Sequence, residues 1–443
     1  MSRGFSFSTA TAVVVANMVG TGIFTSLGFQ LLDIRSPFVL MMLWLIGGIT
    51  ALCGALCYAE LATRLPRSGG EYNFLSQTYH PIAGFVSGWI STTIGFAAPT
   101  ALAAMTFSAY LSATIPGLPK TAVAVTLVVV LTSLHCISRN TSGGMQQVMT
   151  AVKLLLIVTF CLLVWLFGSN PQTLSLLPTS DDSSAVFSGA FAIALIYVNY
   201  AYTGWNAATY LTSEIEDPQR NLPRVLITGT TLVMCLYLLL NFIFLYGAPM
   251  DLMEGKIEIG IVVAEQAFGE NGGRIMGGLL SLMLISTVSA MVMAGPRVLQ
   301  VIGEDFRIFR FLAAVRDGVP VRAILFQSAL TIIFIITATF ESILVFSGFV
   351  LGINTLFAVA GIFVLRYRHI GEQSLYRTFA YPLTPIVYLS ITLWTLTYIL
   401  INKPLEGLVG LALICAGVLM YFVSRGFGIT PSSVEREISS NQP

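Results

Sequence analysis

The chain has 443 residues, 56% of them apolar and 10% charged, with a mean hydropathy of +0.83 and a formal net charge of +1. A soluble domain carries about 25% charged residues, so this composition places the chain in a bilayer and leaves no stretch that reads as a soluble domain. A charge near zero, with no basic run and no RNA-reading motif, excludes nucleic acid as a partner.

A bilayer-spanning helix needs roughly 20 mostly apolar residues. In chain order that rule predicts spans at about 8–32, 38–63, 82–112, 120–138, 144–168 and 185–212, then about 223–248, 272–301, 320–339, 341–366, 380–401 and 404–425. The expected fold is therefore an all-α polytopic membrane protein of about twelve transmembrane helices. Arg3 followed by apolar residues superficially resembles a signal peptide, but the pattern runs past Phe24 without a cleavage site and reads as the first span. The tail 429–443, rich in Ser and Glu, reads as disordered, leaving 1–428 as one transmembrane domain. With both termini cytoplasmic, most lysines and arginines fall on the inside, and the outside segments hold only Arg35, Lys120, Lys256, Arg274 and Lys403. The excess of inside charge predicts that orientation.

Two spans are interrupted by glycine near their middles. The first carries Gly20-Thr21-Gly22-Ile23-Phe24 and the sixth carries Thr203-Gly204-Trp205-Asn206. Unpaired backbone groups are not tolerated against lipid, so such breaks line a cavity or are buried in protein. Breaks in corresponding helices of two halves point to a transporter's substrate site. Two five-helix repeats of opposite topology, about 8–168 and 185–366, followed by two extra helices at about 380–425, are the economical arrangement. Alternatively, Gly20 and Gly22 serve only to pack against a neighbouring helix.

A free amino acid brings a carboxylate and an ammonium, and burying either unpaired costs several kcal/mol. A broken helix supplies partners for both: N–H groups at the start of one half and carbonyls at the end of the other. Lys153 lies inside a span, roughly 13 Å from the cytoplasmic end of the fifth. It either snorkels to the interface or is functional, the default for an intramembrane charge. The six cysteines (Cys53, Cys57, Cys136, Cys161, Cys235, Cys415) read as buried small hydrophobes, and the scattered His80, His135 and His369 have no zinc spacing. No metal or cofactor is expected. Glu60, Arg64, Arg67 and Glu71 form either an ion-pair latch at the cytoplasmic end or ordinary solvated charge, and the acidic stretch Asp251 to Glu265 reads as an external loop.

Several motifs, in order along 8–425, carry a family resemblance. Gly20-Thr21-Gly22-Ile23-Phe24 resembles the first-helix signature of the amino acid–polyamine–organocation superfamily. Tyr58-Ala59-Glu60-Leu61, Pro66-Arg67-Ser68-Gly69-Gly70-Glu71-Tyr72, Gly84-Phe85 and Gly88-Trp89 resemble its helix 2–3 region. Gly204-Trp205-Asn206 through Glu214, with Asp217-Pro218-Gln219-Arg220-Asn221-Leu222-Pro223-Arg224, is similar to the L-amino-acid transporter branch; Tyr237, Asn241 and Arg316-Asp317-Gly318-Val319-Pro320 fit too. The resemblance implies that Thr21 and the backbone of Gly20, Gly22 and Ile23 hold the substrate carboxylate, and carbonyls near Met18, Tyr200 and Thr203 the ammonium. It further implies that Tyr202 and Gly204 border the site, Tyr202 as an aromatic gate, with Tyr237 touching it from the seventh helix. Lys153 resembles a substitute for a sodium ion, tying the first helix to the fifth and eighth, where Ser286, Thr287 and Ser289 would otherwise complete a sodium site.

The expected function is sodium-independent exchange of small or medium neutral L-amino acids by alternating access. Neutral substrates are favoured because no Asp or Glu falls in the expected pocket. Proton-coupled symport through Lys153, or a cationic amino acid or polyamine substrate, are the alternatives. No paired carboxylates, His cluster or activated nucleophile mark an enzyme, and no filter or charge ring marks a channel. Ser112 to Ala122, where relatives carry a cysteine joined to a partner subunit, has none; no disulfide-linked partner and a prokaryotic inner membrane are the expectations.

Overall fold

The computed structural model describes residues 5–137, 143–180, 182–306, 309–316, 319–371 and 375–426. The expected tail 429–443, Arg139 and the Asp317-Gly318 pair lie outside those residues. The first span is two helices, α1 (Phe7–Met18) and α2 (Gly22–Gln30), and α3 (Pro37–Arg64) is the second. A short α4 (Glu71–Thr78) leads to the third span, made of α5 (Pro81–Ile90), a π-helical turn over Ser91–Gly95 and α6 (Ala97–Thr114). Then come α7 (Lys120–Ile137), α8 (Gly143–Phe167) and the short α9 (Asp182–Val186). The sixth span is α10 (Gly189–Tyr202) continued past a break by a 3-10 segment, Ala207–Glu214. It is followed by α11 (Pro218–Gly247), α12 (Met250–Met253), α13 (Ile259–Asp305), α14 (Val321–Thr337), α15 (Phe340–Tyr367), α16 (Leu383–Asn402) and α17 (Pro404–Gly426).

Ten of these helical units among the described residues are long and apolar enough to cross a membrane. The broken sixth span and the shorter Val321–Thr337 bring the arrangement to the twelve expected. The protein is thus a multi-pass membrane protein. Entry points follow local chemistry. Ser36 caps α3 ahead of Pro37, His80 caps α5 ahead of Pro81, and Ser188 and Thr339 cap α10 and α15 through backbone N–H groups three residues on.

The stretch read as an external loop before the eighth span is instead helical from Ile259, with a bend at Gly269 (φ +77°, ψ −177°) where only glycine is at ease. Its Ile261, Ala264 and Ala267 are buried while Glu265 stays exposed, so a one-sided apolar face sits behind the acidic residues.

The packing pairs each of the first four spans with the one five places later: α2 on α10, α3 on α11, α6 on α13 and α7 on α14. Contacts also recur in matched sets. The first span meets the seventh as the sixth meets the second, and the first meets the fifth as the sixth meets the tenth. Trp44, Tyr58, Tyr110, Tyr202 and Tyr237 are fully enclosed, whereas Leu155, Leu166, Phe167 and Ile336 face outward, as a lipid-facing perimeter requires. The cysteines divide differently from expectation. Cys57 and Cys161 are buried, but Cys235 and Cys415 lie on the exposed apolar perimeter, where a thiol is as well tolerated as in a core; all six are free.

Candidate functional site

The first break is a tight turn. The N–H of Gly20 donates to the Met18 carbonyl at 2.8 Å, and α2 restarts at Gly22. Thr21 stands at its N-cap, buried, and its hydroxyl makes no capping bond. The N–H groups of Gly22 and Ile23 therefore lack intrahelical acceptors at the positive end of the helix dipole, while that of Phe24 donates to the Thr21 carbonyl at 3.0 Å. The two glycines differ in use. A Cβ on Gly22 would lie 2.6 Å from the Ala201 Cα, so Gly22 is where the two broken spans touch. A Cβ on Gly20 would meet nothing nearer than the Met18 oxygen at 3.9 Å. The packing role thus accounts for Gly22 and leaves Gly20 unexplained.

The second break is set by Gly204 at φ +107°, against the backbone of Asn17. The Thr203 N–H donates to the Tyr200 carbonyl at 2.9 Å, and its hydroxyl to the Asn199 carbonyl at 3.3 Å. Glycine is needed twice over here, for the left-handed backbone and for space.

Tyr237 reaches both ends. Its Oη lies 2.5 Å from the Met18 carbonyl oxygen and 3.0 Å from that of Ala201, the C-terminal ends of α1 and α10. Tyr202 is packed between Trp44 and Tyr237, ring centroids 6.1 and 4.9 Å away, and donates to the Trp44 carbonyl at 3.2 Å. Met18, Ile23 and Tyr200 are buried beside them. Trp205 stacks edge-on against Tyr58 at 4.6 Å.

Lys153 does not snorkel. It is buried, with Nζ donating to the Val19 carbonyl at 3.0 Å and to Thr287 Oγ1 at 3.1 Å, so it ties the break in the first span to α8 and α13. Ser289 is turned to another partner, His135 Nε2 at 2.8 Å, and Ser286 is half-buried with no hydrogen bond to Lys153. Three apolar residues, Phe24, Leu280 and Met283, border both a small void beside Lys153 and a second void between α2, α8, α11 and α13.

Two sets of partners escape sequence reasoning. Val19 is an apolar residue acting through its carbonyl, which no side-chain pattern marks. The acidic residues at the end of α3 and the start of α4 are buried: Glu60 pairs bidentately with Arg366 at 2.6 and 2.9 Å and accepts from Thr378, with Arg64 at 4.0 Å. Glu71 is enclosed among Tyr58, Asn206 and Tyr210. The solvated alternative for these two residues is thereby set aside.

The chain is 27% identical over 438 residues to the rabbit (Oryctolagus cuniculus) large neutral amino acids transporter small subunit 2, covering 96% of this chain and 80% of that one. It is 25% identical over 424 residues to the mouse (Mus musculus) b(0,+)-type amino acid transporter 1, covering 93% and 85%. It is 25% identical over 451 residues to the mouse Asc-type amino acid transporter 1, covering 98% and 84%. The sequence model for the amino acid permease family matches residues 5–425. The chain belongs to the amino acid permease family, whose members carry substrates across membranes and are not enzymes.

Proposed function

We propose that this carrier exchanges small or medium neutral L-amino acids by alternating access, without sodium. The observation that carries the reading is the meeting of two broken spans at Gly22 and Ala201, with Lys153 bonded to the break at Val19. In this reading the α2 N-terminus, with Gly20, Thr21, Gly22 and Ile23, receives the carboxylate. Carbonyls near Met18, Tyr200 and Thr203 receive the ammonium, with Tyr202, Gly204 and Tyr237 bordering the site. Lys153 stands where a cation would otherwise join the first, fifth and eighth spans. The names of the relatives, amino acid transporters and among them one of large neutral amino acids, support an amino acid substrate and its neutrality; the smaller size rests on the present reading alone.

The same reading takes 1–428 as one domain of two inverted repeats with two extra helices, in the inner (plasma) membrane of a cell, both termini cytoplasmic, and without a disulfide-linked partner. The matched contacts between spans support the repeats, and the excess of inside arginines supports the orientation. Proton-coupled symport is the second reading, favoured by the burial of an ionisable Lys153.

The test is uptake of labelled alanine into proteoliposomes, either preloaded with unlabelled alanine or empty, without sodium or a proton gradient. Uptake confined to preloaded vesicles is expected. Equal uptake into empty vesicles overturns exchange, and uptake that acidifies the lumen favours the symporter.

A further inference from the structure

Glu71 is a carboxylate at the start of α4, 1% exposed, and three groups converge on it. Tyr58 Oη donates to Oε1 at 3.0 Å, Tyr210 Oη donates to Oε2 at 2.6 Å, and the Asn206 amide donates to Oε1. Asn206 closes the break in the sixth span and stands at the N-cap position of the 3-10 segment that carries Tyr210, its side-chain amide donating to Glu71 and making no capping bond. One carboxylate thus grips both ends of the first turn beyond that break. The approach is built in: Gly70 has φ +55°, and a Cβ there would lie 2.5 Å from the Tyr210 ring. Only glycine lets α4 come near enough.

The 3-10 segment does not stand alone. Phe5, just ahead of α1, exchanges backbone hydrogen bonds with Glu214 (2.7 Å) and Glu216 (3.1 Å), a parallel bridge between Phe5 and Ile215. The inner halves of the first and sixth spans are therefore joined to each other, and Glu71 joins the pair to the connection between the second and third spans.

We propose that Glu71 is the positioning residue of this inner assembly: it holds the 3-10 segment of the sixth span, and with it α1, in the closed arrangement, and must give up Asn206 and Tyr210 for the carrier to open inward. This rests on the orientation and alternating access proposed above. A carboxylate with three donors holds the segment by charge-assisted bonds; an amide in its place removes the charge and leaves one acceptor oxygen where there were two, which loosens the grip.

Glu71→Gln is therefore expected to populate the inward-open state. Half-saturation by alanine on the inner face falls about three- to tenfold and that on the outer face rises, because apparent affinity scales with the fraction of competent protein. Tyr210→Phe moves both values in the same directions by less, and Glu71→Asp, which keeps the carboxylate, stays nearer the parent. A merely structural role would shift both faces together or lower only the yield. Unchanged half-saturations in both Glu71→Gln and Tyr210→Phe, or a common shift on both faces, overturn the proposal.

A second readout needs no substrate. With the six native cysteines replaced, Ala208→Cys on the 3-10 segment, 1% exposed in the parent, is labelled by a membrane-impermeant maleimide in inside-out vesicles. Labelling several times faster with Glu71→Gln or Tyr210→Phe supports the proposal, and equal rates overturn it. If the parent carries no alanine, only the transport reading fails, since labelling still reports whether Glu71 holds the segment.

Discussion

The ammonium of Lys153 lies 3.0 Å from the carbonyl oxygen of Val19, the residue where the first span unwinds. A second bond, 3.1 Å to Thr287 Oγ1, fixes its position against α13. Replacing Lys153 by Ala removes a charged donor from a buried carbonyl, and a hydrogen bond to a charged group is worth about 1.5–3 kcal/mol. If that bond sets the geometry of the break, exchange slows by about ten- to a hundredfold, while the folded protein is recovered in detergent. Thr287→Ala should cost less, since Val19 keeps its partner. Initial rates of alanine exchange measure both, and a Lys153→Ala variant at parental rates overturns the role.

The glycines of the first break should part company. Gly22→Ala places a methyl 2.6 Å from the Ala201 Cα, backbone that cannot swing aside, so about 1–3 kcal/mol of overpacking strain is expected. Gly20→Ala has room, and its thermal midpoint should stay near the parent's while half-saturation for alanine rises. Thermal unfolding followed by size-exclusion recovery, beside uptake, separates the two. Equal loss of stability in both variants would sink the distinction.

How much of this was legible in sequence depends on what kind of group does the work. Twelve spans follow from apolar length, and the two breaks from glycines where a helix has no use for them. Lys153 stood out because a charge in an apolar run is costly. The partners of these features were not legible. Val19 acts through a carbonyl, and Tyr237 meets Met18 and Ala201 through main-chain oxygens. Burial of Glu60 and Glu71 depends on residues far along the chain, Arg366 and Thr378 for one, Asn206 and Tyr210 for the other. The helix at Ile259 hid behind acidic residues because its apolar face is short.

Glu60 and Arg366 make a further test. Their bidentate pair joins α3 to the end of α15, and Thr378 adds its N–H at 2.7 Å and its hydroxyl at 2.8 Å to the same carboxylate. Arg366 also lies over the Tyr381 ring, 3.7 Å from its centroid. Removing Arg366 leaves the Glu60 carboxylate, 3% exposed, without its counter-charge, and breaking a buried pair from one side costs about 3–5 kcal/mol. Arg366→Ala should therefore lower the thermal midpoint more than the Glu60→Ala, Arg366→Ala double variant does per residue removed. Additive losses, measured by thermal unfolding, would show that the two residues act independently.

Tyr237→Phe removes one oxygen and little else, since the ring remains against Trp44 and Tyr202. The Met18 carbonyl keeps the Gly20 N–H, but the Ala201 carbonyl loses the phenol. An unsatisfied buried acceptor costs about 1–3 kcal/mol, so the variant should unfold at lower temperature. If the substrate ammonium takes the place of the hydroxyl between these two carbonyls, alanine restores what the variant lost, and it should raise the thermal midpoint of Tyr237→Phe more than that of the parent. A phenol that serves only to staple α1 to α10 predicts the reverse comparison: the same alanine-induced rise in both proteins, on top of a fixed loss in the variant. Thermal unfolding across an alanine titration reads the two cases apart, because the first makes the gap between the proteins close as alanine increases and the second leaves it constant.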